Sequence, residues 1–265
     1  MKIKSLFGSV IAAGVGSMHF SSVCVAESFV LEEVIVTARK RQEDMQDVPI
    51  SVSSIAGEKL KNAGVTDISS LQSFVPNLNM SESGQGTTIN IRGVGSGINS
   101  GFEQSVGMYL DGIYYGRAQL ARSSFLDLDR VEVLRGPQGI LFGKNSIAGA
   151  VSMISAKPTE EFEGSIEMFY EPKYNEEEIT AVLSGPISDN VAGRLAIRQK
   201  NSDGYLKNIF TDEYGPARDE TAARVSFTMD VSEDLTLGMK VETSSFDVLG
   251  RHSEVIDSAG STLPI

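Results

Sequence analysis

From Glu163 onward the chain alternates apolar and polar side chains with a period of two, in five successive segments. Ile166, Met168 and Tyr170 oppose Glu167, Phe169 and Glu171, and Ile179, Ala181 and Leu183 oppose Thr180, Val182 and Ser184. Val191, Gly193, Leu195 and Ile197 oppose Ala192, Arg194, Ala196 and Arg198. Ala223, Val225, Phe227 and Met229 oppose Arg224, Ser226, Thr228 and Asp230, and Leu235, Leu237, Met239 and Val241 oppose Thr236, Gly238, Lys240 and Glu242. Successive side chains of a strand point to opposite faces, so each segment makes one apolar and one polar face. Such strands suit a transmembrane barrel with lipid outside and a polar lumen. They also suit a soluble sheet with one wet face. The connections favour the barrel. Gly185–Asn190 and Val231–Asp234 are short, Glu171–Glu178 is longer, and Lys200–Glu220 is much longer and polar. Outer-membrane barrels pair long outer loops with short periplasmic turns. If the first strand leaves from the periplasm, both long connections fall outside. A soluble periplasmic β-rich binding module is the alternative.

The other end of the chain reads as an address. Lys2 and Lys4 precede a mostly apolar run from Leu6 to Val15, and Cys24 and Ala26 stand at −3 and −1 of a cut before Glu27. This is the layout of a secretory signal peptide, residues 1–26. Lipidation at Cys24 is a second reading, disfavoured by the bulky Val23 before it. The apolar run is too short and too Gly-rich to span a bilayer, and no other stretch is long enough for a transmembrane helix. A membrane location therefore requires a β-barrel. Cys24 is the one cysteine, which excludes an internal disulfide. The net charge of −12, from 23 basic and 35 acidic side chains, argues against a nucleic-acid partner.

Between these ends, residues 27–47 form a charged lead-in with one strand-forming piece, Val34–Ala38. Residues 48–158 read as a mixed α+β unit. Strands are expected at Val48–Ile55, Thr88–Arg92, Val106–Tyr114, Val131–Leu134 and Ala150–Ser155, with Gly-rich turns between them. Short helices are expected at Gly57–Asn62, closed by Gly64, and at Asp67–Phe74, capped by Thr66 or Asp67 and stopped by Pro76. The glycines of Gly93–Gly97 lack the strand–loop–helix setting of a phosphate cradle. His19 and His252 are the only histidines, and no cluster has metal-ligand spacing. Ser188-Asp-Asn190 matches one β-lactamase motif, but no Ser-x-x-Lys accompanies it. We expect no enzyme, no cofactor and no metal site.

Several motifs now resemble one family, in order along residues 27–265. Glu32-Glu-Val-Ile-Val-Thr-Ala38 looks like a TonB box, and Asp47-Val-Pro-Ile50 followed by Ser-Val-Ser looks like the start of a plug domain. Ile89-Asn-Ile-Arg-Gly93, Tyr109-Leu-Asp-Gly-Ile-Tyr114, Arg130-Val-Glu-Val-Leu-Arg-Gly-Pro-Gln-Gly139 and Leu141-Phe-Gly-Lys-Asn-Ser-Ile-Ala-Gly-Ala-Val151 resemble further plug motifs. The chain is thus similar to the N-terminal portion of TonB-dependent outer-membrane receptors. The resemblance implies a mixed α+β plug domain followed by antiparallel β-strands of an incomplete transmembrane β-barrel. The implied layout is signal peptide 1–26, lead-in 27–47 with the box at 33–38, plug 48–158 and the first five or so barrel strands in 159–265. The plug blocks a large barrel, and the ligand, most often a ferric siderophore, binds from outside. Some members take cobalamin, haem, nickel complexes or sugars. The resemblance further implies that energy comes from the inner-membrane protein TonB and that the barrel wall meets outer-membrane lipid.

The resemblance assigns roles to named residues. Glu33, Val34, Ile35, Val36, Thr37 and Ala38 would bind TonB. Val34 to Thr37 are strand formers with no partner strand nearby in sequence, and an extended segment on a loose tether can add itself to another protein's sheet edge. The alternative is an ordinary first strand of the plug. Arg92 and Arg135 would pair with glutamates of the barrel wall that lie on later strands; otherwise they cap turns or face solvent. Tyr109, Asp111, Tyr114 and Tyr115 are within reach of substrate in principle but suit core and turn positions. The apex would fall in the Gly95–Gln104 and Gly116–Ser124 loops, with the ligand contacts unassigned. Five strands cannot close such a barrel, so this polypeptide alone is expected not to insert or transport, as a fragment or a truncated relic.

Overall fold

The structure, a computed structural model, describes residues 35–37, 41, 43–83, 86–97, 103–116, 121 and 124–249. The expected signal peptide, Glu33, Val34, Ala38, parts of both expected apex loops and residues 250–265 lie outside the described residues.

The N-terminal unit begins with a ribbon of two short strands, β1 (Ile35–Val36) and β2 (Glu43–Asp44), paired antiparallel. Then follow β3 (Ser51–Ala56), α1 (Gly57–Asn62), α2 (Ile68–Leu71), β4 (Leu78–Ser83), β5 (Gly86–Ile91), β6 (Val94–Gly95), β7 (Val106–Leu110), β8 (Ile113–Tyr115), β9 (Leu128–Arg135), α3 (Gly139–Phe142) and β10 (Gly149–Ser155). Five of these form a sheet in the order β3-β9-β10-β7-β8, antiparallel except for the parallel β7–β10 pair. A smaller sheet, β4-β5-β6, stands apart from it. The core contains Leu60, Ile68, Leu71, Ile89, Ile91, Val106, Met108, Val131, Val133 and Val151.

Local chemistry explains the joints. Of the two expected caps, Thr66 and Asp67, it is Asp67 that caps α2, which ends at Leu71 and not at Phe74: its carboxylate accepts from Ser70 N, and the Ser70 hydroxyl accepts from Asp67 N. Gly57 opens α1 where a Cβ would lie 1.8 Å from Leu128 O, so no larger residue fits between helix and sheet. The expected single strand Val106–Tyr114 is instead a hairpin. Asp111 and Gly112 carry φ of 49° and 80°, the left-handed pair of a tight hairpin turn. β4 and α3 were not expected. Leu78–Ser83 is largely polar, and its strand exists only through its pairing with β5.

The second unit is an antiparallel meander of β11 (Glu163–Glu171), β12 (Glu176–Ser188), β13 (Val191–Ser202), β16 (Ala217–Ser232) and β17 (Leu235–Leu249). A small hairpin, β14 (Leu206–Lys207) with β15 (Tyr214–Gly215), lies in the long 203–216 connection. The five strands match the five alternating segments. The first connection differs from expectation: β11 ends at Glu171 and β12 begins at Glu176, so only residues 172–175 join them. The Glu171 carboxylate accepts from Lys173 N and Tyr174 N and closes the turn early. The other turns, 189–190 and 233–234, are shorter still.

The faces of this meander are inverted relative to an aqueous sheet. Met168 and Met239 are 76% and 59% exposed, and Ile166, Ile179, Leu183, Leu237 and Val241 share that outward face. Arg198 and Arg224 are 4% and 3% exposed, and Lys200, Glu220 and Ser226 are buried with them against the N-terminal unit. A soluble sandwich would lay the apolar face on a second sheet. Among the described residues no sheet covers it. Lipid outside and polar groups inside is the arrangement of a transmembrane barrel wall.

An arginine on that outward face should therefore be excluded from lipid. We expect Met168→Arg and Met239→Arg, carried in a receptor whose barrel is complete, to weaken partition into phospholipid vesicles in flotation assays, each by about 2–4 kcal/mol for a site near the bilayer midplane. Equal partition of variants and parent would mean that this face meets something other than lipid.

Candidate functional site

The inward face of the wall grips one short segment of the N-terminal unit, Ser124–Asp127, which leads into β9. Arg194 on β13 grips Asp127 with two parallel bonds, Nε to Oδ2 and Nη2 to Oδ1, both at 2.7 Å. Arg198, on the same face four residues on, donates Nη1 to Phe125 O at 2.5 Å and Nη2 to Glu178 at 2.6 Å. Arg224 on β16 donates Nη1 to Leu126 O at 2.8 Å and Asp127 O at 3.1 Å, and Nε to Glu242 at 2.8 Å. Ser124 Oγ donates to Glu220 Oε2 at 2.6 Å. Three guanidinium groups thus hold three successive residues. Arginine suits this because its rigid fork satisfies two acceptors at once. Buried charge is tolerated only when paired, and here each guanidinium has a carboxylate. Apolar contact adds little: Leu126, Val182 and Ala196 form a small cluster with Ala222 beside it.

A second bridge joins the β7–β8 turn to the wall. The Asp111 carboxylate accepts from Lys240 Nζ, from Ser155 N at 2.8 Å and from Ser155 Oγ at 2.7 Å. Burial works to raise the Asp111 pKa, but the hydrogen bonds from Lys240 and Ser155 outweigh it and hold the carboxyl below its ordinary range. Arg218 reaches Glu82 at 3.5 Å. Lys61–Glu167 is solvent-exposed and contributes little.

A third site lies at the ribbon. Val36 is fully buried against Val48, Tyr109, Leu134 and Ala150. Thr37 donates its amide to Glu132 Oε1 at 2.8 Å and its hydroxyl to the same oxygen at 3.1 Å. Arg130 Nε donates to that oxygen at 2.8 Å. Glu132, on β9, is fully buried.

The fold and these contacts can now be set beside known proteins. The profile of the TonB-dependent Receptor Plug Domain family matches residues 44–150. Residues 44–150 are a TonB-dependent receptor plug domain. The pesticin receptor of Yersinia pestis is 31% identical over 203 residues, 71% of this chain and 28% of that protein. The ferrioxamine B receptor of Salmonella typhimurium (strain SL1344) is 28% identical over 63% of this chain and 24% of its own length. Among solved structures, the ferric yersiniabactin uptake receptor FyuA of Yersinia pestis superposes with a TM-score of 0.68 at 26% identity, over 74% of this chain and 32% of that one. The pyoverdine outer membrane receptor FpvA of Pseudomonas aeruginosa PAO1, bound to pyoverdine, gives 0.69 at 20% identity and shares the fold. The chain spans roughly a quarter to a third of the length of these relatives. With the plug profile and the lipid-type outward face, they place the chain in the outer membrane.

The residues that sequence reasoning singled out fall as follows. Arg92 is exposed in the turn between β5 and β6 of the plug, at φ 53°, and its amide donates to Asn77 O. Arg135 ends β9, half-buried, with Nε lacking a hydrogen-bond partner. Among the described residues neither pairs with a carboxylate. The plug–wall ion pairs present include the reverse polarity, with wall Arg194 holding plug Asp127 and wall Lys240 holding plug Asp111. Arg194, Arg198 and Arg224 were legible only as polar-face residues; their position opposite lipid-facing side chains was the available signal. Ile35 and Val36 form β1, but the expectation of a loose tether without a nearby partner strand is corrected. β2 lies seven residues on, and Asp44 turns the chain there by accepting from Gln46 N and Asp47 N. Tyr109 is core, its hydroxyl donating to Phe142 O; Tyr114 is exposed and accepts from Asn145; Tyr115 is exposed on edge strand β8. Among the described residues no group of His, Cys, Asp or Glu could hold a metal.

Two predictions follow from this seam. Arg224→Ala removes the guanidinium from Glu242 and from the carbonyl of Leu126, while Asp127 O keeps the amide of Ala156; it should cost about 3 kcal/mol of stability in denaturant titrations, the scale for breaking a buried ion pair. Asp111→Asn tests the pH dependence. The folded pKa lies below the unfolded one, so the carboxylate contributes stability above the unfolded value of about 3.8, lost as pH falls through the folded pKa. Thermal unfolding should show a larger stability deficit for the variant at pH 7 than at pH 3.

Proposed function

We propose that the chain is an N-terminal portion of a receptor that takes up a ferric siderophore with energy supplied through TonB. The observation that carries this reading is a plug domain clasped by the polar face of a wall whose other face is apolar and exposed. A freely open pore would have no need of a plug held in this way. Relatives named for ferrioxamine B, yersiniabactin and pyoverdine support a ferric siderophore as the substrate class. In this proposal residues 1–26 are the export signal, 27–47 the periplasmic lead-in, 48–158 the plug and 159–265 the first barrel strands, in contact with outer-membrane lipid. Glu33–Ala38 form the segment that TonB captures, by main-chain pairing of an added strand. Arg92 and Arg135 bind glutamates of the completed barrel wall, since a guanidinium in the plug interface needs an acid partner.

The test uses the chain in detergent and the C-terminal domain of a TonB protein, read by calorimetry. Proline at 36 removes one main-chain donor from any added strand. Val36→Pro should weaken binding by about tenfold or more, the worth of one or two lost hydrogen bonds. Binding that is absent in the parent, or equal in parent and variant, overturns the coupling assignment.

A further inference from the structure

The described part of the proposed coupling segment, residues 35–37, is already engaged at two points. One edge of β1 pairs with β2, Ile35 against Asp44 and Val36 against Glu43. The amide of Thr37 is taken by the side chain of Glu132. A partner that adds a strand here needs main-chain donors. It meets β2 along one edge and a carboxylate on the Thr37 amide. Val36 adds an apolar anchor, since leaving its pocket exposes a fully buried side chain.

Glu132 is built for this hold. It is fully buried on β9, between β3 and β10, and its Oε1 gathers three donors: Thr37 N, Thr37 Oγ1 and Arg130 Nε. Its Oε2 has no hydrogen-bond partner. Arg130 Nη2 also reaches Thr37 Oγ1, at 3.4 Å, and Nη1 pairs with Asp129 at 2.5 Å. A buried carboxylate with one oxygen unpaired depends heavily on the donors of the other. Among the described residues, removing Thr37 would leave Arg130 as its only donor. The strand and the acid therefore stabilise each other, and undocking carries a cost beyond the loss of two bonds.

We propose that Glu132 is a clamp that keeps the coupling segment docked and competes with the strand-adding partner for the Thr37 amide. This rests on the assignment of residues 33–38 as the captured segment. Capture then requires the docked state to open first, and the apparent affinity falls with the fraction of molecules that are open. Glu132 makes no contact with the captured strand once it has left, so changing it alters the docking equilibrium and leaves the strand's own pairing with the partner untouched; its bond to Arg130 is present in both states. Glu132→Ala should favour the open state by about tenfold, the worth of one hydrogen bond to a charged group. Glu132→Gln keeps the shape and an acceptor but loses the charge, and should fall between the two.

The experiment measures two quantities on the full chain in detergent. Amide hydrogen exchange over residues 33–44 reports docking without any partner, while exchange over β9 and β10 reports that the plug remains folded. Calorimetry with the C-terminal domain of a TonB protein reports capture. The expected result is faster exchange at 33–44 in the order parent, Gln, Ala, unchanged protection of β9 and β10, and tighter binding in the same order. Exchange at 33–44 that is equal in all three overturns the clamp. Faster exchange with unchanged or weaker binding overturns the competition. Faster exchange in variants of which none, nor the parent, binds the domain overturns the coupling assignment and the competition with it, while leaving the docking role of Glu132 in place. If Glu132→Ala loses β9 protection, the Gln variant decides: no change in its exchange at 33–44 overturns the clamp.

Discussion

The structure depends on where it puts its charges. Arg194, Arg198 and Arg224 stand on the inner face of a sheet whose outer face is apolar, so their head groups cannot snorkel to the outer water. Each must find acceptors within the protein, or the strand carrying it would pay a desolvation cost of several kcal/mol. The plug supplies those acceptors as one carboxylate and three carbonyls between Phe125 and Asp127. The wall needs the plug as much as the plug needs a wall.

This division of labour sets two kinds of strength. Inside the plug, cohesion comes from apolar burial around Ile68, Ile89, Ile91, Met108 and Val131. Across the seam it comes from ion pairs and hydrogen bonds, with a minor apolar contribution from Leu126, Val182 and Ala196. Breaking an apolar core exposes area to water at about 25 cal/mol per Å². Parting a polar seam lets water replace the lost partners, so the net cost per contact is lower than the gross attraction. The seam is specific in geometry without being the main store of stability.

Much of this was legible in the sequence. Period-2 alternation located all five wall strands and named both faces, because a half-buried strand has little freedom in its pattern. The pair Thr66-Asp67 announced the start of α2, since a capping side chain acts within its own turn, and Asp67 is the one that caps it. What was hidden is tertiary. Val106–Tyr114 looked like one strand because its turn residues, Asp111-Gly112, sit inside an apolar run. Glu171 shortened the first loop through hydrogen bonds that composition does not reveal. The partner of Val36 was missed because β2 is Glu43–Asp44, acidic residues of poor strand propensity that pair only because the chain turns back there. The arginine clasp was invisible for a further reason: two of its three grips fall on main-chain carbonyls, which every residue has.

One strand connects these features. β9 begins beside Asp127, the residue that the wall holds most firmly, and two residues into it stands Arg130, with Glu132 beyond. It pairs with β3 on one side and β10 on the other, so it lies at the centre of three strands of the plug sheet. The wall clasp and the Thr37 contact are thus fastened to the same short, buried rod. A shift of segment 124–127 against the wall enters β9 at its first residue, and a pull on Thr37 enters it at Glu132. Close packing leaves β9 little room to absorb either displacement locally.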